Sequence, residues 1–224
     1  MESAIKISHE HLTNIFKSSI FTDTLEKCAN NTYKDGVETG FEIRQDIYSD
    51  NFFLCKISKG NCDSMAGCQT KFLGNWNDKM FLGSYTLIYV HFHPYSKETI
   101  IPSDFDLLGI RDGFNDIIYK EEKPYKYETR SIDGIARINE RKNIDVLLIQ
   151  PKQRDYFIDK ISMELGRYFD TQKRDREIIK ILKNNNLNAD LISYKRKNSI
   201  YTLENENKLK KFSFSPKFKE FSDQ

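Results

Sequence analysis

Histidine is scarce in this chain of 224 residues: there are four. Tryptophan occurs once, at Trp76, and proline five times. The four cysteines (Cys28, Cys55, Cys62 and Cys68) include no CxxC pair. That spacing leaves free thiols as the expectation for a cytosolic chain of this size. Cys62 and Cys68 share a polar loop that offers a redox pair or a second metal site, but no histidine or third cysteine lies near them in sequence. No stretch approaches the roughly 18 apolar residues of a membrane span. Met1 to Leu12 has no apolar run of signal-peptide length. Charge of one sign is also missing: 35 basic against 33 acidic residues leave +2, which is not the footprint of a nucleic-acid binder. The expectation is a cytoplasmic protein of one large domain, or one domain with an appendage. A chain of this length buries a core without disulfides or a structural metal.

What is present reads as an α+β chain. Ile5 to Ile7 predicts a short strand, and Ser8 caps a helix carrying Leu12, Ile15, Phe16, Ile20 and Leu25 on one face. That helix is expected to end near Asn30, before Lys34-Asp35-Gly36. From Val37 to Arg44 the residues alternate, with Val37, Thr39, Phe41 and Ile43 on one face and Glu38, Gly40, Glu42 and Arg44 on the other. Residues 51–58 form the hairpin partner. Residues 59–83 are irregular and glycine-dotted, and a loop of that length in a compact domain usually has a function. Tyr85 to His93 is a nearly continuous apolar run, the pattern of a central strand covered on both faces. Further strands are expected at 117–119, 125–138 and 144–149. Amphipathic helices are expected over 153–183, and a hairpin at 191–203. This order suits a mixed sheet flanked by helices rather than a regular βαβ repeat.

His91 and His93 end the most apolar strand. Residues i and i+2 on a strand share a face, about 6.6 Å apart at Cα, so two imidazoles there can converge on one metal ion. The bland alternative is a strand leaving the core with one ring wet, and only carboxylates elsewhere decide between the two. Pro102-Ser103-Asp104-Phe105-Asp106-Leu107 supplies them at a helix start, where Ser-x-x-Asp is also an ordinary capping box. Upstream, Glu38 stands beside Gly40, whose missing side chain leaves room. His9 and His11 also form an H-x-H, but at a helix start such residues diverge, and they read as surface groups.

Taken in order, Gly36-Val37-Glu38-Thr39-Gly40, His91-Phe92-His93-Pro94 and Pro102-Ser103-Asp104-Phe105-Asp106-Leu107 resemble the JAMM motif of the MPN+ (JAB domain) family. Phe92 stands where that family has a small polar residue, and the gap from His93 to the serine is two residues longer than usual. The usual spacing from His93 lands on Asp104, whereas the serine-anchored pattern lands on Asp106. Asp106 is preferred, because a loop absorbs two residues cheaply while the helix start fixes ligand direction.

The resemblance implies an MPN-like fold over residues 1–150 and does not reach the rest of the chain. From their own pattern, 151–204 are expected as a C-terminal helix and hairpin packed on or extending that domain, and 205–224 as a charged flexible tail. The resemblance also implies Zn2+ held by His91, His93 and Asp106, with Glu38 as general base and Ser103 donating to the oxyanion. Glu42, on the same face as Glu38, is the alternative base. The implied reaction is amide or isopeptide hydrolysis that removes a ubiquitin-like or sulfur-carrier protein from its conjugates. Against it stands a non-catalytic MPN-like scaffold, which loss of a metal ligand would mark. The basic aromatic tail around Lys208 to Phe218 is expected to be solvated rather than bound to nucleic acid.

Overall fold

The computed structural model describes residues 7–46, 49, 51–59, 71–72, 84–93, 100–112, 115–120, 123–128, 131–139, 141–152, 158–166, 174–198, 200–214 and 217–220. Two helices open it, α1 (His9–Lys17) and α2 (Ser19–Asp35). The sequence reads as one helix here, but Ser18 breaks it. Its extended backbone ends α1, and its hydroxyl accepts from Phe21 N to cap α2. Serine competes for backbone donors in this way better than most residues. The second helix also runs past the expected end, to Gly36, whose φ of 67° is left-handed and closes it.

Strands β1 (Thr39–Asp46), β2 (Phe52–Lys59), β3 (Lys71–Phe72) and β4 (Ser84–Phe92) follow, then α3 (Asp104–Asp112), β5 (Asn115–Lys120) and β6 (Lys123–Glu128). After them come β7 (Ile132–Ile138), β8 (Ile144–Pro151), α4 (Ile158–Gly166), α5 (Arg174–Asn184), β9 (Leu187–Lys197) and β10 (Ile200–Leu203). A 3-10 helix (Glu206–Lys211) and β11 (Lys217–Glu220) complete the order. Eight strands form one mixed sheet in the order β10-β9-β8-β7-β4-β1-β2-β3, and β11-β6-β5 form a separate small sheet. In the large sheet only β4 and β7 run parallel. The architecture is α+β.

The strand alternation sorts the core into two layers. On one face Phe41, Ile43, Val90, Phe92, Val146 and Leu148 pack with α1 and α2 side chains such as Phe16, Phe21 and Leu25. On the other, Ile135, Leu147 and Ile149 pack with Leu107 and Ile110 of α3, Ile161 and Leu165 of α4, and Ile178 and Leu182 of α5. Every residue of β8 is buried, as a strand covered on both sides requires.

β8 runs through residue 150 to Pro151 and pairs along its length with β9, so the hairpin of β9 and β10 extends the same sheet. Residues 205–214, by contrast, are not the expected loose tail. Leu209, Phe212 and Phe214 are buried in the first core layer, and Phe214 bridges to Ile7. Burial of three large apolar side chains outweighs the charge around them. Among the described residues no helix is long and apolar enough to cross a membrane.

Candidate metal centre

Strand pairing brings the separated motif pieces to one place. β1 lies antiparallel to β4 with Thr39 opposite Phe92 and Gly40 opposite His91. Glu38, the residue before β1, therefore emerges beside the histidines. Thr39 fixes that point: its buried hydroxyl donates to the Cys28 carbonyl at 2.7 Å and pairs with the Thr32 hydroxyl. Strand start and helix α2 are thus tied together. Phe92 is fully buried on the opposite face, in the α1–α2 layer, so its bulk does not reach the histidines. The aspartate comes from α3. Ser103 Oγ accepts from Asp106 N at 3.2 Å, while Ser103 N and Oγ donate to Asp106 Oδ2 at 2.7 and 2.8 Å. The capping box is real, and it also aims the carboxylate.

The result is a four-residue cluster. One ligand atom from each of Glu38, His91, His93 and Asp106 lies within 4.8 Å of all the others. His91 Nε2 is 3.0 Å from His93 Nε2, 3.1 Å from Asp106 Oδ1 and 3.6 Å from Glu38 Oε1, and His93 Nε2 is 3.4 Å from Asp106 Oδ2. Ligands of a tetrahedral zinc with bonds near 2.0–2.1 Å stand about 3.3 Å apart. The two imidazoles and the Asp106 carboxylate therefore have the donor chemistry and spacing for such an ion. Burial is graded: the His91 side chain is 5 % exposed, Asp106 13 %, His93 22 % and Glu38 27 %. The site opens toward Glu38 and His93, near the exposed Ser103.

Electrostatics follow from this crowding. Burial alone would lower the His91 pKa, but the charge and hydrogen bond of Asp106, with Glu38 and Asp133, push it up to about 9. Burial would raise the Asp106 carboxyl, yet His91 and His93 hold it far below the ordinary range. Asp133, beside Tyr89 across the β4–β7 pairing, is pushed up to about 7 by burial against the pull of His91, helped by Asp106 and Glu42. The outer nitrogen of His91, Nδ1, is buried without a hydrogen-bond partner among the described residues. Metal-binding histidines usually donate from that atom.

Several candidates fall away from the cluster. Asp104 faces the other side of the helix start and accepts from Ser162 of α4. Glu42 sits opposite Tyr89, with its Oε1 held by the Arg44 guanidinium at 2.9 Å and by the Thr86 hydroxyl. His11 bonds Gln45 Oε1 at 3.1 Å, and His9 is exposed. Cys28 is buried and free, whereas Cys62, Cys68 and nearly all of 59–83 lie outside the described residues. Sequence reasoning passed over Asp133, although an acid between Ile132 and Ile135 within an expected strand was a visible signal. It also missed the part played by Ser162. The chain matches no protein-family model and no curated protein.

Proposed function

We propose that this protein is a zinc-dependent amide hydrolase of the JAMM type, acting on ubiquitin-like or sulfur-carrier conjugates in the cytoplasm. The observation that carries the reading is the convergence of Glu38, His91, His93 and Asp106 within 4.8 Å, in the order and residue types of the resembled motif. His91, His93 and Asp106 would hold the ion. When bound, zinc supplies Lewis acidity and makes water a competent nucleophile near neutral pH.

The remaining chemistry belongs to side chains. Glu38 is the most exposed member of the cluster, so it faces incoming water and substrate. It takes the proton of the attacking water and returns it to the leaving amine. Ser103 grips Asp106 and stands at the open side, where turning its hydroxyl would supply a donor to the developing oxyanion. Glu42 is a poor base here because Arg44 and Thr86 already hold its carboxylate. The scaffold alternative draws no support from the site, since no ligand position is lost.

The test is cleavage of a panel of Gly-isopeptide and Gly-amide conjugates of ubiquitin-like proteins, with chelator-treated protein as the blank. Glu38→Gln should keep its zinc and lose at least the 10²–10⁴-fold typical of a general base. Full activity in Glu38→Gln removes Glu38 from the mechanism. Absence of metal-dependent cleavage by the wild type across the panel favours the scaffold.

A further inference from the structure

Among the described residues no group hydrogen-bonds His91 Nδ1, the atom from which a metal-binding imidazole is normally oriented, and the ring is closely packed. Its neighbours are Tyr89, whose ring lies 5.5 Å away at a 30° tilt, and Gly40 directly across the strand pair. Opposed residues on antiparallel strands ordinarily keep their Cβ atoms about 4.5–5.5 Å apart. A Cβ built on Gly40 would stand 3.0 Å from His91 Cβ, 2.8 Å from the Val90 carbonyl oxygen and 3.2 Å from the Tyr89 hydroxyl. The Val90 oxygen is main chain and cannot rotate aside. β1 and β4 approach here as closely as they do because residue 40 has no side chain.

We propose that Gly40 is a positioning residue for the metal site. It lets His91 seat against the β1 backbone and sets the distance between Glu38 and the histidines. The inference rests on the metal-dependent reading above. A methyl at residue 40 must part the strands or turn His91, and metal–ligand distances tolerate only about 0.2 Å. Gly134 provides the internal comparison. It lies on β7 opposite Val90, and a Cβ there would meet Val146 Cγ1 and Val90 Cγ2, both at 3.0 Å. Those methyls belong to the α1–α2 core layer, on the far side of the sheet from His91.

The experiment compares zinc affinity of the full-length wild type, Gly40→Ala and Gly134→Ala by competition with a chromophoric chelator. Thermal melts in zinc-free buffer run alongside. Gly40→Ala should fold and bind zinc at least tenfold more weakly, whereas Gly134→Ala should bind within twofold of wild type even where its melting temperature falls. Wild-type affinity in Gly40→Ala overturns the proposal. So does equal weakening in both variants, or a Gly40→Ala chain that does not fold, which would make the glycine a requirement of the sheet. A wild type that binds no zinc defeats the metal reading itself, a result distinct from these three.

Discussion

Ser103 and Asp106 hold one another at the start of α3, and the Oδ2 gripped by Ser103 is the oxygen that faces His93 at 3.4 Å. Removing the serine hydroxyl therefore loosens a member of the candidate metal cluster as well as a helix cap. A hydrogen bond to a charged group contributes about 1.5–3 kcal/mol, so Ser103→Ala should weaken zinc binding by about tenfold or more, with Ser103→Thr close to wild type. Titration with zinc decides it. Undiminished affinity in Ser103→Ala would confine this serine to capping or to the oxyanion.

Asp104 and Asp106 part company at the same helix start. Asp106 belongs to the cluster, while Asp104 accepts from Ser162 and links α3 to α4. Asp106→Ala should lose zinc. Asp104→Ala should keep it and show a lower melting temperature. Bound metal measured after gel filtration separates the two, and a reversed result would make Asp104 the ligand.

Asp190 on β9 holds down the C-terminal segment. Lys211 pairs with it closely, Lys208 lies at 3.5 Å and Lys183 at 3.7 Å. Burial raises its pKa, but the Lys211 hydrogen bond and the three positive charges win, so the folded value lies below the ordinary 3.8. A carboxylate depressed in this direction stabilises the fold above the unfolded value and loses that contribution as pH falls through the folded one. The melting-temperature gap between wild type and Asp190→Asn should therefore persist at neutral pH and narrow only below about pH 4. Zinc content should not change. A gap already closed at about pH 5 contradicts the pairing.

Cys28 is fully buried in the first core layer, and burial, opposed by Thr39 and Lys27, pushes its thiol up to about 12. Only the thiolate is a good nucleophile. Peptide mapping after iodoacetamide treatment at mildly alkaline pH should find Cys28 unmodified in the native protein and alkylated in denaturant. Rapid native labelling would contradict this packing.

The parts of this fold legible in sequence are those with a local period. The alternation from Val37 to Arg44 separated Phe41 and Ile43 from Glu38 on opposite faces, and Phe41 and Ile43 are buried in the first core layer. The apolar run ending in His91 and His93 marked the central strand. Long-range consequences were not legible. Nothing local announces that the 3-10 helix buries Leu209, or that α4 reaches across to Asp104. Capping chemistry indicates the direction of the helix start, and the packed helix brings Asp106 into the cluster while Asp104 meets Ser162. The closeness of Gly40 to His91 depends on strand register, which a lone glycine does not reveal.

Metal content tests the central claim most directly. Elemental analysis of purified wild-type protein should find about one zinc per chain, and the His91→Ala/His93→Ala protein should be folded and zinc-free. A wild type without zinc, or a double variant that keeps its full metal content, would contradict the assignment of this cluster as a metal centre.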